Sequence, residues 1–496
     1  MSDWQSIPVE EKHKSFLESL SSILIKNIFD GVKRDEPVIK WRDPDHLSEL
    51  ISFDLTDEPK SQGLILKIIK DIYNFSVKTG HPYFMNQLFS GLDPYGLAGQ
   101  WLTDSLNVSI YTYEVAPVLT LMEQTLIKQM LEMFYKSDYH NISVPQSFGD
   151  GLFCPGGSFA NGTAINLARY WLKPESKDYG SSALNLVMFA SEDAHYSLQK
   201  WASMCGIGEK NVIVIKTDEQ GRMDTHNLEV NILAQKQQGN TCFMVSATAG
   251  TTVLGAIDPL NEIAEICLKY KLWFHVDAAW AGGLIMSRKY RTLLDGIQKA
   301  DSIAFNPHKL LAVPQQCSML LTKHCEILKS AHSKKASYLF QKDKFYPQDY
   351  DVGDKYIQCG RRPDVLKFWI MWQAKGTSGF ENHVNHLMFL SDFLKSEIER
   401  RADFKLVAKP SFINVCFWYI PPSLKNKNSS YNYNENLHKV APQLKEMMTR
   451  RGSLMIGYQP LRQKPNFFRF VVQNSGLLTR DVDYVLEEFE RLGQAL

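Results

Sequence analysis

"DSIAFNPHKLLAVPQQCS" (301–318) holds a single lysine between two apolar segments. The run 301–305 stops at Asn306-Pro307, His308 and Lys309 follow, and the chain turns apolar again. A lone lysine is usually a solvated surface group, but this one is walled on both sides. Burial lowers an amine's pKa and favours the neutral, nucleophilic form that an imine-forming lysine requires. Working outward, similar short apolar or β-branched runs recur at 184–190, 211–215, 241–247, 271–276 and 318–322. Helical patterns lie between several of them. In 259–270, Leu260, Ile263, Ala264 and Cys267 fall at i, i+3, i+4 and i+7. Asp258 is the expected N-cap there and Pro259 the expected first helical residue. Strands alternating with helices predict an α/β domain with a mostly parallel, buried sheet.

In such a sheet, ligands bind outside the carboxyl ends of the strands. The residues that follow each run are therefore the informative ones. After 271–276 come Asp277, Ala278, Ala279 and Trp280. An isolated aspartate at a strand end usually caps the next turn. Asp277 and Lys309, however, are separated by about one strand–helix–strand unit, which puts them at neighbouring strand ends. A lysine and a carboxylate presented together suit pyridoxal phosphate. That cofactor needs an amine for its Schiff base and an acid that keeps its ring nitrogen protonated. A phosphate cradle is then required. "CPGGS" (154–158) offers Gly156, Gly157 and Ser158 at the start of a helical run, where backbone N–H groups face an anion. Most Gly-Gly-Ser triplets are plain turns. His195 in "SEDAHYS" (191–197) follows another strand end. It is either structural or able to stack on a bound ring.

Composition sets limits on the rest. The 496 residues exceed one typical domain. Apolar residues at 44% are enough for a large core. Lys plus Arg total 55 against 54 for Asp plus Glu, which gives no reason to expect nucleic acid or an anionic membrane as partner. The polar N-terminus lacks the pattern of a secretory signal, and no apolar run approaches the roughly 18 residues of a membrane span. A cytoplasmic location is expected. None of the 8 cysteines lies in C-x-x-C, so reduced thiols and no metal site are expected. The texture of the chain suggests a helical N-terminal segment (1–109), a large α/β cofactor domain (110–375) and a smaller α+β C-terminal domain (376–496). The helical segment shows amphipathic stretches at 15–29 and 63–77. The C-terminal domain has strand-like 412–420 and 466–472, helical 440–450 and 480–493, and a polar loop at 421–436.

Taken together, these residues resemble the group II pyridoxal-phosphate-dependent amino-acid decarboxylases. The resemblance is carried by "HPYFMNQLFSGLDP" (81–94), "YTYEVAP" (111–117), "CPGGS", "SATAGTTVLGAIDP" (246–259), "HVDAAW" (275–280), "NPHK" (306–309), "DKYIQCGRRPD" (354–364), "NVCFWYIPPSL" (414–424), "GYQP" (457–460) and "NFFRF" (466–470). It implies fold type I, similar to aspartate aminotransferase, and a homodimer with active sites at the interface. Lys309 would carry the cofactor, and Asp277 would pair with its ring nitrogen. Ala279 and His195 would lie on the two ring faces. Thr248 would reach the phenolic oxygen, and Gly157, Ser158 and His308 the phosphate. Gln87, Phe89 and Ser90 would line the substrate pocket. Arg469 would bind the α-carboxylate, and Tyr338 in a mobile loop would protonate the α-carbon.

Within the family the sequence is similar to the branch acting on small acidic amino acids. Phe89 stands where glutamate enzymes have Ser or Thr, and should shorten the pocket. Gln315 stands where vertebrate relatives have an apolar residue, as in insect aspartate 1-decarboxylases. It either donates to a short β-carboxylate or satisfies a local backbone group. The resulting expectation is conversion of aspartate to β-alanine, with cysteine sulfinate second and glutamate third.

Overall fold

In the computed structural model, which describes residues 11–89, 91–135, 148–425 and 432–496, the apolar runs form the strands of two sheets. In chain order the strands are β1 (Phe84–Met85), β2 (Asp150–Cys154), β3 (Leu186–Ser191), β4 (Val212–Ile215), β5 (Thr241–Thr248) and β6 (Trp273–Ala278). They continue with β7 (Ser302–Phe305), β8 (Ser318–Thr322), β9 (Phe404–Leu406), β10 (Asn414–Tyr419), β11 (Met455–Leu461) and β12 (Lys464–Val471). The larger sheet has the order β2-β8-β7-β6-β5-β3-β4. Pairing is parallel from β4 through β3, β5 and β6 to β7, and antiparallel at β7–β8 and β8–β2. Every residue of β3, β6, β7 and β8 is buried. That is why these strands read as unbroken apolar runs without alternation. The register sets Thr248 beside Asp277 and Asp277 beside Ala304. The carboxyl ends of β5, β6 and β7 are therefore level.

The chain divides into two compact units. One comprises 92–392 with 408–416 and contains the larger sheet. The other comprises 1–91, 393–407 and 417–496. This differs from three consecutive stretches bounded at 109 and 375. The N-terminal stretch shares a unit with the C-terminal residues because β1 pairs in parallel with Met455 and Ile456 of β11. Residues 94–106 belong with the larger sheet's unit. Their helix packs so tightly that a Cβ on Gly99 would lie 2.8 Å from the Lys367 backbone. The helix Val365–Arg400 runs through the expected boundary and is interrupted only at Gly376, whose φ is 62°.

The expected helices at 15–29 and 63–77 form as Glu11–Asp30 and Gln62–Phe75, yet neither buries any of its residues. The helix Leu260–Tyr270 forms as its spacing predicts, but Asp258 does not cap it. The Asp258 carboxylate instead accepts the N–H groups of Thr248 and Met223, each at 2.7 Å. Of the expected polar loop 421–436, residues 426–431 lie outside the described residues, and the helix Tyr433–Arg451 begins within it.

A buried ion pair ties the large unit together. Arg361 donates to both carboxylate oxygens of Glu123 at 2.9 and 3.0 Å and stacks 3.4 Å over the Tyr356 ring. The Tyr356 hydroxyl donates to Glu123 at 2.5 Å and accepts the Phe153 N–H at 3.1 Å. Helix Pro117–Tyr135, β2 and the 354–364 loop thus meet at one charged node. Removing one partner strands a buried charge. Arg361→Leu should therefore destabilise the fold by about 3–5 kcal/mol. Chemical denaturation checks this, and a loss of about 1 kcal/mol or less, as for a surface pair, would contradict it.

Candidate active site

The carboxyl ends of the large sheet gather the expected groups. β5 ends at Thr248, β6 delivers Asp277, and β7 leads into Asn306–Lys309. β3 leads toward His195, and the helix Gly157–Leu172 brings its N-terminus to the same place. Gly157, Ser158, Thr248 and His195 line one cavity of about 210 Å³, together with Asp277, Ala279, His308 and Lys309. Asp277 is only 5% exposed. One of its oxygens accepts the Ala279 N–H at 3.1 Å, and the other accepts from Asn161 Nδ2 at 2.7 Å. Burial lowers the Lys309 amine below the usual lysine range, against the opposing pull of Asp277. Burial also lowers His195, again with Asp277 opposing. His308 is pushed down to about 4 by burial, although its Nδ1 lies 2.7 Å from the Cys317 carbonyl.

Two glycines open the helix for different reasons. Gly156 sits at φ 100°, a backbone state that side chains resist. A Cβ on Gly157 would lie 2.8 Å from Asn306 Nδ2 and 3.1 Å from the Ala279 Cβ. The helix N-terminus therefore reaches the cavity as bare backbone, its first N–H groups unused by the helix itself. Two buried polar atoms on the wall, Thr248 Oγ1 and Asn306 Oδ1, have no hydrogen-bond partner among the described residues. Such atoms call for a bound polar group. An anion-binding helix end, a buried carboxylate, an enclosed amine and unsatisfied oxygens fit pyridoxal phosphate.

The sequence did not single out Asn306, Trp280 or the full role of Asn161. All three line the same cavity. The signal for Asn161 was its place four residues after Gly157, one helical turn on. Gly162, in the next turn of that helix, makes room for Trp201. A Cβ there would fall 2.0 Å from the indole.

Arg469, on β12, donates from Nη2 to the Asn86 carbonyl at 3.2 Å, next in the chain to exposed Gln87. The Phe89 ring lies 6.2 Å from that of Phe84. Ser90 is outside the described residues. Tyr338 is 78% exposed and lines a separate cavity of about 410 Å³ with Arg169 and His332. Its turn is closed by the Ala336 carbonyl, which accepts the N–H groups of Leu339 and Phe340. Its base is held by the Asp354 carboxylate, which accepts the N–H groups of Lys334 and Lys335. Gln315 is exposed and lines a third cavity, of about 320 Å³, with Arg361 and Lys367. The buried Lys367 ammonium donates to the Gln316 carbonyl at 2.5 Å and draws this segment toward its own helix. Within one chain, neither Tyr338 nor Gln315 stands among the residues around Lys309.

The pyridoxal-dependent decarboxylase conserved domain matches residues 44–420, and the chain belongs to that family. It is 47% identical to the cysteine sulfinic acid decarboxylase of Homo sapiens over 503 residues, covering 100% of both chains. It is also 47% identical to the acidic amino acid decarboxylase GADL1 of Mus musculus over 484 residues, covering 97% of this chain and 86% of that one. The crystal structure of mouse CSAD superposes with a TM-score of 0.94 at 46% identity, over 98% of this chain and 100% of that one. The chain is a pyridoxal-phosphate-dependent decarboxylase of fold type I. No helix among the described residues is long and apolar enough to cross a membrane.

The cofactor should give the protein a visible absorbance band that depends on Lys309. Lys309→Ala should abolish that band while circular dichroism stays unchanged. A variant that keeps the band would remove Lys309 from the role.

Proposed function

We propose that this chain removes the α-carboxyl group of a short acidic amino acid, with cysteine sulfinate preferred and hypotaurine as product. The observation that carries this reading is identity of 47–48% along essentially the full length of two cysteine sulfinic acid decarboxylases. Aspartate, first on sequence grounds, becomes the second reading. The feature that favoured it, Gln315, belongs to a cavity other than that of Lys309. Aspartate and cysteine sulfinate are close in reach, and a pocket shortened by Phe89 suits both. Glutamate is one methylene longer.

Pyridoxal phosphate, when bound, supplies a carbonyl for the substrate amine and a ring that withdraws electrons as carbon dioxide leaves. Lys309, its amine favoured in the neutral form by burial, would hold the cofactor. Asp277 keeps a proton on the ring nitrogen. Gly157, Ser158 and His308 bind the phosphate, Thr248 the phenolic oxygen, and Ala279 and His195 flank the ring. Arg469 binds the α-carboxylate, so that the group to be lost is oriented before reaction. Gln87 and Phe89 border the side-chain pocket.

Tyr338 delivers a proton to the α-carbon in the site of a second copy. Its exposure and its own distant cavity favour action across chains. A homodimer also accounts for the uncovered apolar residues on the N-terminal helices, such as Leu17 and Phe29, and on helix Pro117–Tyr135, such as Val118.

Steady-state kcat/KM should rank cysteine sulfinate first, then aspartate. Glutamate should fall about 10–200-fold below the best substrate, the value of one misfitting methylene. Aspartate ranked first would reinstate β-alanine formation as the main activity. The cross-chain role has its own test. Lys309→Ala and Tyr338→Phe chains, each impaired alone, should regain about a quarter of wild-type activity when mixed and reassembled, because half the dimers then hold one intact site. No recovery would place Tyr338 in its own chain's site.

A further inference from the structure

We propose that Asn161 is a positioning residue whose carboxamide fixes the Asp277 carboxylate directly and the orientation of His195 through the Ser197 hydroxyl. The proposal rests on the reading that Asp277 and His195 hold the cofactor. It goes beyond that reading in naming what holds them.

Proton directions along the hydrogen-bond chain follow from its ends. A carboxylate only accepts, so the Asn161 amide nitrogen must face Asp277, at 2.7 Å. The Asn161 oxygen then faces His275 Nε2, at 3.1 Å, and that nitrogen must carry a hydrogen. His275 Nδ1 lies 2.9 Å from Ser302 Oγ, so the serine hydroxyl donates to it. Ser302 in turn accepts from Trp273 Nε1 at 2.8 Å, and an indole nitrogen only donates. The order of donors is thus set from Asp277, and the Trp273 bond, which leaves the serine hydrogen available to His275, is consistent with it. His275 is pushed down to about 4 by burial, which keeps it neutral, as this order requires.

The second Asn161 N–H reaches Ser197 Oγ at 3.1 Å. That oxygen is then an acceptor from Asn161, and its own hydrogen points on to His195 Nδ1 at 2.8 Å. The Ser197 backbone N–H approaches the same ring nitrogen at 3.2 Å. His195 Nδ1 is therefore an acceptor, and its proton sits on Nε2. One carboxamide gives one hydrogen to Asp277, the other to the hydroxyl that faces His195, and its oxygen to a buried neutral histidine. Asn161 and Ser197 are each only 1% exposed, so water does not substitute for either bond.

The test uses the holoenzyme. In the wild type, ¹⁵N resonances should show Nε2 protonated and Nδ1 unprotonated in both His195 and His275. Either histidine protonated on Nδ1 would break the chain of donors and overturn the proposal without any variant. Asn161→Ala and Asn161→Asp should loosen pyridoxal phosphate about 10–100-fold, the usual cost of losing an outer hydrogen-bond partner, and shift the His195 ¹⁵N resonances while Nδ1 stays unprotonated. Asp should do worse, because it sets a second carboxylate against Asp277. Folded variants that bind the cofactor within twofold of wild type and leave the His195 resonances in place would also overturn it. Asp277→Ala separates the two ideas. If that variant does not loosen the cofactor, the reading of the site fails. If it does and Asn161→Ala does not, only the role of Asn161 fails.

Discussion

A carboxylate at the end of β6 has almost no access to water. Such a group is tolerated only when N–H donors replace its hydration. Asp277 has two, the Ala279 backbone and Asn161. The Asn161 bond obliges the helix Gly157–Leu172 to pass close to the carboxyl end of β6. At that distance Gly157 meets Asn306, and Gly162 meets the Trp201 ring. A larger residue at position 157 would press on Asn306 and Ala279 beside the cavity.

Much of this was legible in the sequence because parallel strands bury both faces. The runs at 241–247, 271–276 and 301–305 became adjacent strands β5, β6 and β7 with small shifts in their ends. Knowing that ligands gather at carboxyl ends then sufficed to collect Thr248, Asp277 and Lys309. Contacts set by long-range pairing were not legible. β1 has two residues, too few for any periodic pattern, yet it joins the N-terminal stretch to the C-terminal unit. Asp258 satisfied every local rule for an N-cap, but two distant backbone N–H groups claimed its carboxylate. Gln315 follows Lys309 closely in the chain but turns to another cavity, because Lys367, far along the sequence, holds the next carbonyl. His275 stands two residues before Asp277, on the same face of β6. That alternation was visible, while its partner Asn161 on a remote helix was not.

The lysine loop is held independently of Asp277. The Lys309 N–H bonds to the Asn306 carbonyl at 3.0 Å, and the Ala312 N–H bonds back to Lys309 at 3.0 Å. His308 is fixed by the backbone of Cys317 at the entry to β8, and the Leu310 carbonyl lies 2.8 Å from His383 Nε2. The residues on either side of Lys309 are thus pinned to different elements. The backbone that carries the amine is therefore fixed by bonds of its own. Preorganisation of this kind lowers the cost of reaching a reactive geometry.

That separation bears on the reactivity of Lys309. Burial and the charge of Asp277 act on its amine in opposite senses, and burial is the larger. A bare carboxylate nearby would favour the ammonium, which is no nucleophile. Asp277 is not bare, because its oxygens are occupied by the N–H groups of Asn161 and Ala279. Each such bond draws negative charge away from the lysine. The donors that make Asp277 tolerable inside the protein therefore also weaken its hold on the Lys309 proton. A buried carboxylate and a buried amine of lowered basicity can then share one small cavity.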